Sequence, residues 1–256
     1  TESLVFTGTA YNTETAEYEA KTGGSNIKAT GLSPAFITNG NAISFKVSNV
    51  EVSNTDFSVT SSGGAITFDG SIVGTDSASN ETITLNAGTT GGNTDTISVA
   101  AIGGGNEIHK VTLTAADGIT LNGNITTADV ASSEVTITGP VTLATGAITI
   151  DTNSTNDGTI KFVGSTSTIG GTQTLTLDSG SAAITLDGAI GTSGGVLTGL
   201  NINKDDGSTG AIEIANIGAG TTAGVGGNVN IGNNATTSLT LDGTLYLTNG
   251  TTVYEA

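Results

Sequence analysis

The chain has 256 residues, of which 35% are hydrophobic and only 4% aromatic, with 39 Gly and no Cys, Met or Trp. Its net charge is −17 and all six basic residues are Lys, so the cation clusters that phosphate binding needs are missing and nucleic acid is excluded as a partner. No apolar run reaches the ~20 residues of a membrane helix, and neither the aromatic girdles nor the ~10-residue alternating strands of a membrane barrel are present, so no membrane-spanning segment is expected.

Residues 1–62 come first and differ from the remainder of the chain. They hold three of the six Lys, Lys21, Lys28 and Lys46, and two of the four Tyr. LVFTG at 4–8 resembles IKFVG at 160–164, so one strand type opens the chain and returns later. Between 12 and 21, NTETAEYEAK offers an Asn or Thr cap and Glu17 four residues before Lys21, which allows one short helix there. NAISFKVSNVEVSNTDFSV at 41–59 then alternates over a longer span than later strands do. An irregular, more charged opening suits a cap or assembly region that protects a solenoid end.

From residue 63 onward one heptapeptide recurs: ITFDGSI at 66–72, ITLNGNI at 119–125, ITLDGAI at 184–190 and LTLDGTL at 239–245. Each reads as a short strand with Thr outward, then Asp-Gly or Asn-Gly, then a return to the interior. The turn residues are expected to adopt positive φ, which Gly and Asn tolerate. Looser relatives fill the gaps, among them ETITLNAG at 81–88, EVTITG at 134–139 and GAIEIANIG at 210–218. Strands this short, rich in β-branched residues and bounded by Gly, Asn, Asp and Ser, make the chain all-β.

A parallel β-solenoid of about a dozen short coils, of order 60 Å long, fits better than the alternative of tandem immunoglobulin-like sandwiches, which would want longer strands and a buried Trp. On a longer scale, residues 68–161 return with drift as 162–247, Phe68 matching Phe162, Ile102 matching Ile190 and Val111 matching Leu200. The expected organisation is therefore 1–62 as cap and 63–256 as solenoid containing two copies of a ~90-residue repeat.

No constellation for catalysis stands out, and the chain is not expected to be an enzyme. Asp69, Asp187 and Asp242 recur at the heptapeptide turn, but Asn122 replaces the acid in the remaining copy, which is what turn chemistry tolerates and a catalytic carboxylate pair does not. His109 is the single histidine, too few for a His-based zinc site and outside any Ser-His-Asp pattern. Calcium is the one ion with candidate ligands: Asp151, Asn153 and Asp157 in DTNSTNDG, and Asp205 and Asp206 in NKDDG. Neither spacing matches an EF-hand, and GGNTDTISV at 91–99 has Thr94 where a nonapeptide calcium repeat wants Gly, so solvated turns weigh more. The pairs Thr82/Thr84, Thr112/Thr114, Thr136/Thr138 and Thr174/Thr176 raise an ice-binding Thr ladder as an alternative, against which plain β propensity weighs more. Asn80, Asn124, Asn153, Asn234 and Asn249 stand in Asn-x-Ser/Thr sequons.

Strings such as ITFDGSIVG, ETITLNAGTTGG, AAITLDGAIGTSGGVLTGLNI and VTITGPVTLATGAITID resemble the repeats of very large bacterial surface proteins, the β-strand-repeat and filamentous-haemagglutinin-like adhesins. The resemblance covers about residues 60–250. It implies a parallel β-helix, export, and a role in adhesion, coating or filaments, and it carries over no catalytic residue. The chain, which does not begin with Met, reads as a piece of a longer secreted precursor. The expected function is an extracellular, self-assembling structural protein of the cell surface or of a filament, with copies of itself as head-to-tail partners. Alternatives are an adhesin stalk that binds glycans or neighbouring cells, and a β-helix enzyme acting on polysaccharide.

Overall fold

The structure, a computed structural model, describes residues 4–6, 9–12, 16–19, 26–31, 33–75, 80–92, 94–104, 108–152, 156–192, 195–205, 209–219, 222, 224–233, 235–246 and 252–254. Contacts divide the chain into two compact units, Thr1–Ala128 and Asp129–Ala256. Each unit is a parallel β-solenoid, and every pairing between named strands described in it is parallel.

In the first unit the chain winds through three faces per coil. The opening coil is β1 (Leu4–Phe6), β2 (Thr9–Asn12) and β3 (Ala16–Glu19). On it stack β4 (Ile27–Thr30), β5 (Ala35–Thr38) and β6 (Ile43–Lys46), then β7 (Asn49–Ser53), β8 (Phe57–Thr60) and β9 (Ile66–Phe68). Next come β10 (Ser71–Gly74), β11 (Glu81–Gly88) and β12 (Thr96–Val99). Ile102 bridges to Ile72, followed by β13 (Ile108–Ala115), β14 (Gly118–Leu121) and β15 (Ile125–Thr126). The second unit repeats the scheme. Its first face is β18 (Ile148–Asp151), β21 (Thr174–Asp178), β23 (Gly199–Ile202), β25 (Val229–Ile231) and β27 (Thr252–Tyr254). The second face is β16 (Glu134–Thr138), β19 (Thr159–Phe162), β22 (Ile184–Ile190), β24 (Thr209–Ile217) and β26 (Thr236–Leu241). The third is β17 (Val141–Leu143), β20 (Ile169–Gly171) and the far ends of β22 and β24.

Alternation in each strand drives this winding. In β11 the burial pattern alternates strictly, with Ile83, Leu85 and Ala87 at 0% exposure and the intervening Thr82, Thr84 and Asn86 half-exposed. Register then places like on like: Ile83 sits on Val111 and Leu85 on Leu113, with Thr84 on Thr112 outside. Each buried Ile, Leu or Val contributes about 1.5–3 kcal/mol, so a thin core closes by repetition although no single layer is large.

The structure changes several expectations. Within 12–21, Ala16–Glu19 form strand β3 in place of a helix, with Tyr18 packed on Phe45 one coil away and Glu17 paired with Lys46 at 2.7 Å, while 13–15, 20 and 21 lie outside the described residues. Among the described residues up to 62, strands β1 to β8 follow the three-faced winding. The coils are fewer than a dozen because each takes up more of the chain than the heptapeptide spacing suggests. Coil length also varies: the step from Val50 to its partner Ile72 is shorter than the step from Ile72 to its bridge partner Ile102. Phe68, Phe162, Val111 and Leu200, which the ~90-residue repeat matches in pairs, are all buried strand residues. Phe68 lies on the third face and Phe162 on the second, while Val111 lies on the second and Leu200 on the first. What recurs is a strand-and-corner grammar, usable at any face.

The heptapeptide glycines also have a different cause from the one expected. Gly70, Gly123, Gly188 and Gly243 are not in the left-handed region. Instead, a Cβ on Gly70 would lie 2.0 Å from the Ser48 carbonyl oxygen, and one on Gly188 2.2 Å from that of Ser167. The corner of one coil lies so close on the corner beneath that only a hydrogen fits between them.

Five of the chain's aromatic rings cluster inside the first unit. Tyr18, Phe45 and Phe68 stack in one column, Phe45 and Phe68 with centroids 4.4 Å apart and planes at 8°, while Phe36 and Phe57 meet them from the neighbouring face. Such pairs add about 0.5–1.5 kcal/mol each beyond their buried area. Burial also pushes the Tyr18 phenol above its ordinary value of about 10.

Gly70→Ala and Gly188→Ala are expected to destabilise by about 3 kcal/mol each, since backbone must move. Gly146→Ala, at φ +62° with nothing within 4 Å, should cost only about 1 kcal/mol. Urea unfolding of the three variants checks the ranking. Tyr18 contributes stability in its neutral form, fully present below its unfolded value near 10 and lost as pH rises through the raised folded value. A tyrosinate absorbance titration should therefore show one late-ionising ring, missing in Tyr18→Phe, whose stability should fall less steeply at high pH.

Candidate functional site

Parallel stacking leaves a specific problem at each corner. Where the sheet breaks, backbone N–H groups lose their ladder partners, and an unpaired donor is costly. The acids and amides of this chain answer it by reaching across one coil. Asp117 Oδ2 accepts the amides of Thr94 at 2.9 Å and Asp95 at 3.0 Å, and its Oδ1 accepts that of Gly92 at 3.3 Å. Glu81 has 0% exposure, and its two oxygens accept the amides of Asn54 at 2.9 Å and Asn80 at 3.1 Å. Asp129 takes the Asn156 amide, Asp157 that of Ser181, and Asn216 that of Thr244. Buried Asn203 accepts from the Ser179 amide at 2.8 Å and donates to the Gly180 carbonyl at 3.1 Å.

The heptapeptide acids fall within this scheme and do not converge. Asp69 and Asn122 stand at corners between third and first faces in the first unit, whereas Asp187 and Asp242 stand between second and third faces in the second. Asp187 Oδ2 accepts the Gly164 amide at 2.7 Å, and Asn122 donates to the Ser98 hydroxyl at 3.1 Å and the Val99 carbonyl at 3.2 Å. The Asp187 and Asn122 side chains thus bond the preceding coil. His109 is the extra residue of a β-bulge, since Glu81 pairs with Ile108 and the next rung joins Thr82 to Lys110.

The calcium candidates are only partly gathered. Asp151 ends β18 in register with Asp178 on β21, and Asp157 lies on the same loop with Oδ2 engaged by Ser181. Asp205 is exposed on a later coil and pairs with Lys204 at 3.2 Å. Asn153 and Asp206 lie outside the described residues, as do the sequons at Asn234 and Asn249, while Asn80 and Asn124 are exposed. Among the described residues no three acidic or histidine side chains converge on a metal-sized position. The Thr pairs divide between faces. Thr82/Thr84 and Thr112/Thr114 lie on the second face of the first unit, Thr136/Thr138 on that of the second unit, and Thr174/Thr176 on its first face.

Among the described residues, a polar groove opens on the surface of the first unit. On the outer side of the first face of the first unit, Lys28, Thr30, Glu51, Ser53 and Thr75 line a concavity of about 300 Å³. Lys28 is in register with Glu51 and Thr30 with Ser53, so β4 and β7 present these side chains in two parallel columns. Lys28 Nζ lies 3.6 Å from Glu51 Oε2, and the Asn26 side-chain amide donates to Glu51 Oε1. Sequence reasoning missed this groove, because Lys28, Glu51 and Thr75 share nothing but their spacing of about one coil. Comparison with protein-family models, with curated proteins and with solved structures finds no match.

Removing a cross-coil cap tests the corner scheme. Asp117→Ala is expected to lose about 1–2 kcal/mol of stability, and Asp117→Asn less, since the amide oxygen still accepts. Hydrogen exchange should quicken at the Thr94 and Asp95 amides while that of Leu113, in the middle of β13, stays as it was. Unchanged exchange at Thr94 and Asp95 would discard the scheme.

Proposed function

We propose that this chain is an extracellular structural protein, a cell-surface or filament-forming subunit whose coils associate with the coils of further copies. The observation that carries the reading is the parallel register itself. A coil paired in parallel presents the same row of N–H and C=O groups along the solenoid axis as the coil it rests on, so one coil is a template for the next. β26 pairs with β24 along one edge, yet its Leu241, in register with the fully buried Ile214, is 37% exposed. A further coil laid on β26 would cover that side chain. The resemblance of the repeats to bacterial β-strand-repeat and filamentous-haemagglutinin-like surface proteins supports export. The strong negative charge supports solubility outside the cell and slows indiscriminate lateral association.

Negative-stain microscopy over a range of protein concentrations tests the proposal. Particles are expected to lengthen end to end as concentration rises, and Leu241→Glu should shorten them without lowering the thermal midpoint of the subunit by more than a few degrees. Particles of one fixed length at every concentration would overturn it.

A further inference from the structure

We propose that Asn122 is a site of spontaneous modification: its side-chain amide becomes an acid through a ring formed with the Gly123 amide, and the conversion loosens the first face at Ile102. This goes beyond the structural role and does not depend on it. Asn122 stands at the one heptapeptide corner that carries Asn where the other three carry Asp. Asp187 meets a backbone N–H, that of Gly164, and a carboxylate serves there. Asn122 meets the Val99 carbonyl at 3.2 Å and the Ser98 hydroxyl at 3.1 Å. A carbonyl only accepts, so this corner needs a side chain that donates. The next position is restricted as well. A Cβ on Gly123 would lie 2.8 Å from the Ala101 nitrogen and 3.0 Å from the Ala100 carbonyl carbon, so any side chain would displace backbone. Two independent demands of the stack thus place Asn before Gly, with Asn122 exposed to water.

Such a pair reacts with itself. The Gly123 nitrogen attacks Cγ of Asn122 and closes a cyclic imide, while the Cγ–Nδ2 bond breaks and Nδ2 leaves as ammonia with the proton that Gly123 sheds. Water then opens the imide at either carbonyl, giving Asp or isoaspartate. The net change is amide plus water to acid plus ammonia. The nucleophile is available here. Among the described residues no acceptor takes the Gly123 amide, whereas in Asn39–Gly40 the Gly40 amide donates to the Ser61 carbonyl at 2.7 Å. Asn249–Gly250 lies outside the described residues. The product fits the corner badly. It loses the Nδ2 donor and sets a carboxylate against the Val99 carbonyl oxygen. Isoaspartate also adds a methylene to the main chain, just before Asn124 and Ile125 meet Ile102. Ile102 is the weak point of the first face, because it reaches Ile72 and Ile125 through isolated bridges rather than through a strand. Its amide donates to the Asn124 carbonyl at 2.9 Å, and its carbonyl accepts the Thr126 amide at 2.9 Å.

The test is ageing of the full chain at mildly alkaline pH, followed by peptide mapping that separates Asn, Asp and isoaspartate. In the folded chain Asn122 should convert about tenfold faster than Asn39, the factor that one backbone hydrogen bond at Gly40 represents. In urea, where both glycine amides are free, the two rates should converge. Equal or slower conversion at Asn122 in the folded chain would overturn the proposal. So would a ratio in urea as large as in the folded chain, which would trace it to flanking residues alone. Hydrogen exchange of the converted fraction reads the consequence. The Ile102 and Thr126 amides should exchange faster than in fresh protein, while that of Leu113 stays as it was. Unchanged exchange at Ile102 and Thr126 would discard the loosening. Asn122→Asp, which keeps the ordinary main chain, should unfold at lower urea than the parent. Equal stability would show that the corner needs no donor and would remove the reason for Asn there. None of these measurements reads particle length, so this proposal and the assembly proposal fail separately.

Discussion

Everything in this protein depends on parallel backbone pairing between one coil and the next. Because the pairing is in register, most described strand residues rest on the residue one coil away, and side-chain type must agree column by column rather than along the chain. Inside, this produces columns such as Ile27–Val50–Ile72, closed at 0–1% exposure with no large core. Outside, it produces columns of Ser and Thr, with Lys and Glu opposed at Lys28–Glu51. Such exposed pairs contribute little to stability, roughly 0–1 kcal/mol, so the ladder and the buried columns hold the fold.

Corners impose the second constraint. Pairing brings consecutive corners within van der Waals contact, which leaves no space for a Cβ at Gly70 or Gly188 and strands backbone amides that need acceptors. Five of the 23 acidic residues of the chain are thereby explained by position. Asp117, Asp129, Asp157, Asp187 and Glu81 each accept an amide from the adjacent coil. A carboxylate is a strong acceptor with two oxygens; the four Asp side chains keep part of their hydration, whereas the fully buried Glu81 is compensated by the Asn54 and Asn80 amides. At these five corners negative charge is a by-product of satisfying backbone amides.

Part of this architecture was legible in the residues alone. The alternation in ETITLNAG and the repeated apolar-Thr-apolar-Asp-Gly string identify short strands and sharp corners, and the absence of Trp together with short strands separates a solenoid from a sandwich. The Tyr18–Phe45–Phe68 column was not legible, since three aromatics far apart in the chain carry no local signal until register stacks them. The helix allowed at 12–21 failed for the same reason: capping and an i,i+4 pair are local preferences worth tenths of a kcal/mol, and pairing with β6 outweighs them. The groove at Lys28 and Glu51 was equally hidden, being made by three coils at once.

The amino-acid sequence by itself determined that this chain is all-β, coiled in parallel and built from one grammar, because hydrophobic alternation and corner residues act over a single strand and its turn. Only the tertiary structure decided which face each strand occupies, why the heptapeptide needs Gly, what the acids bond and where a groove opens. The physical reason is the variable coil length. Because coil length varies, as between the step from Val50 to Ile72 and the step from Ile72 to Ile102, spacing along the chain does not assign a strand to a face, and only the closed register gives each residue its neighbour.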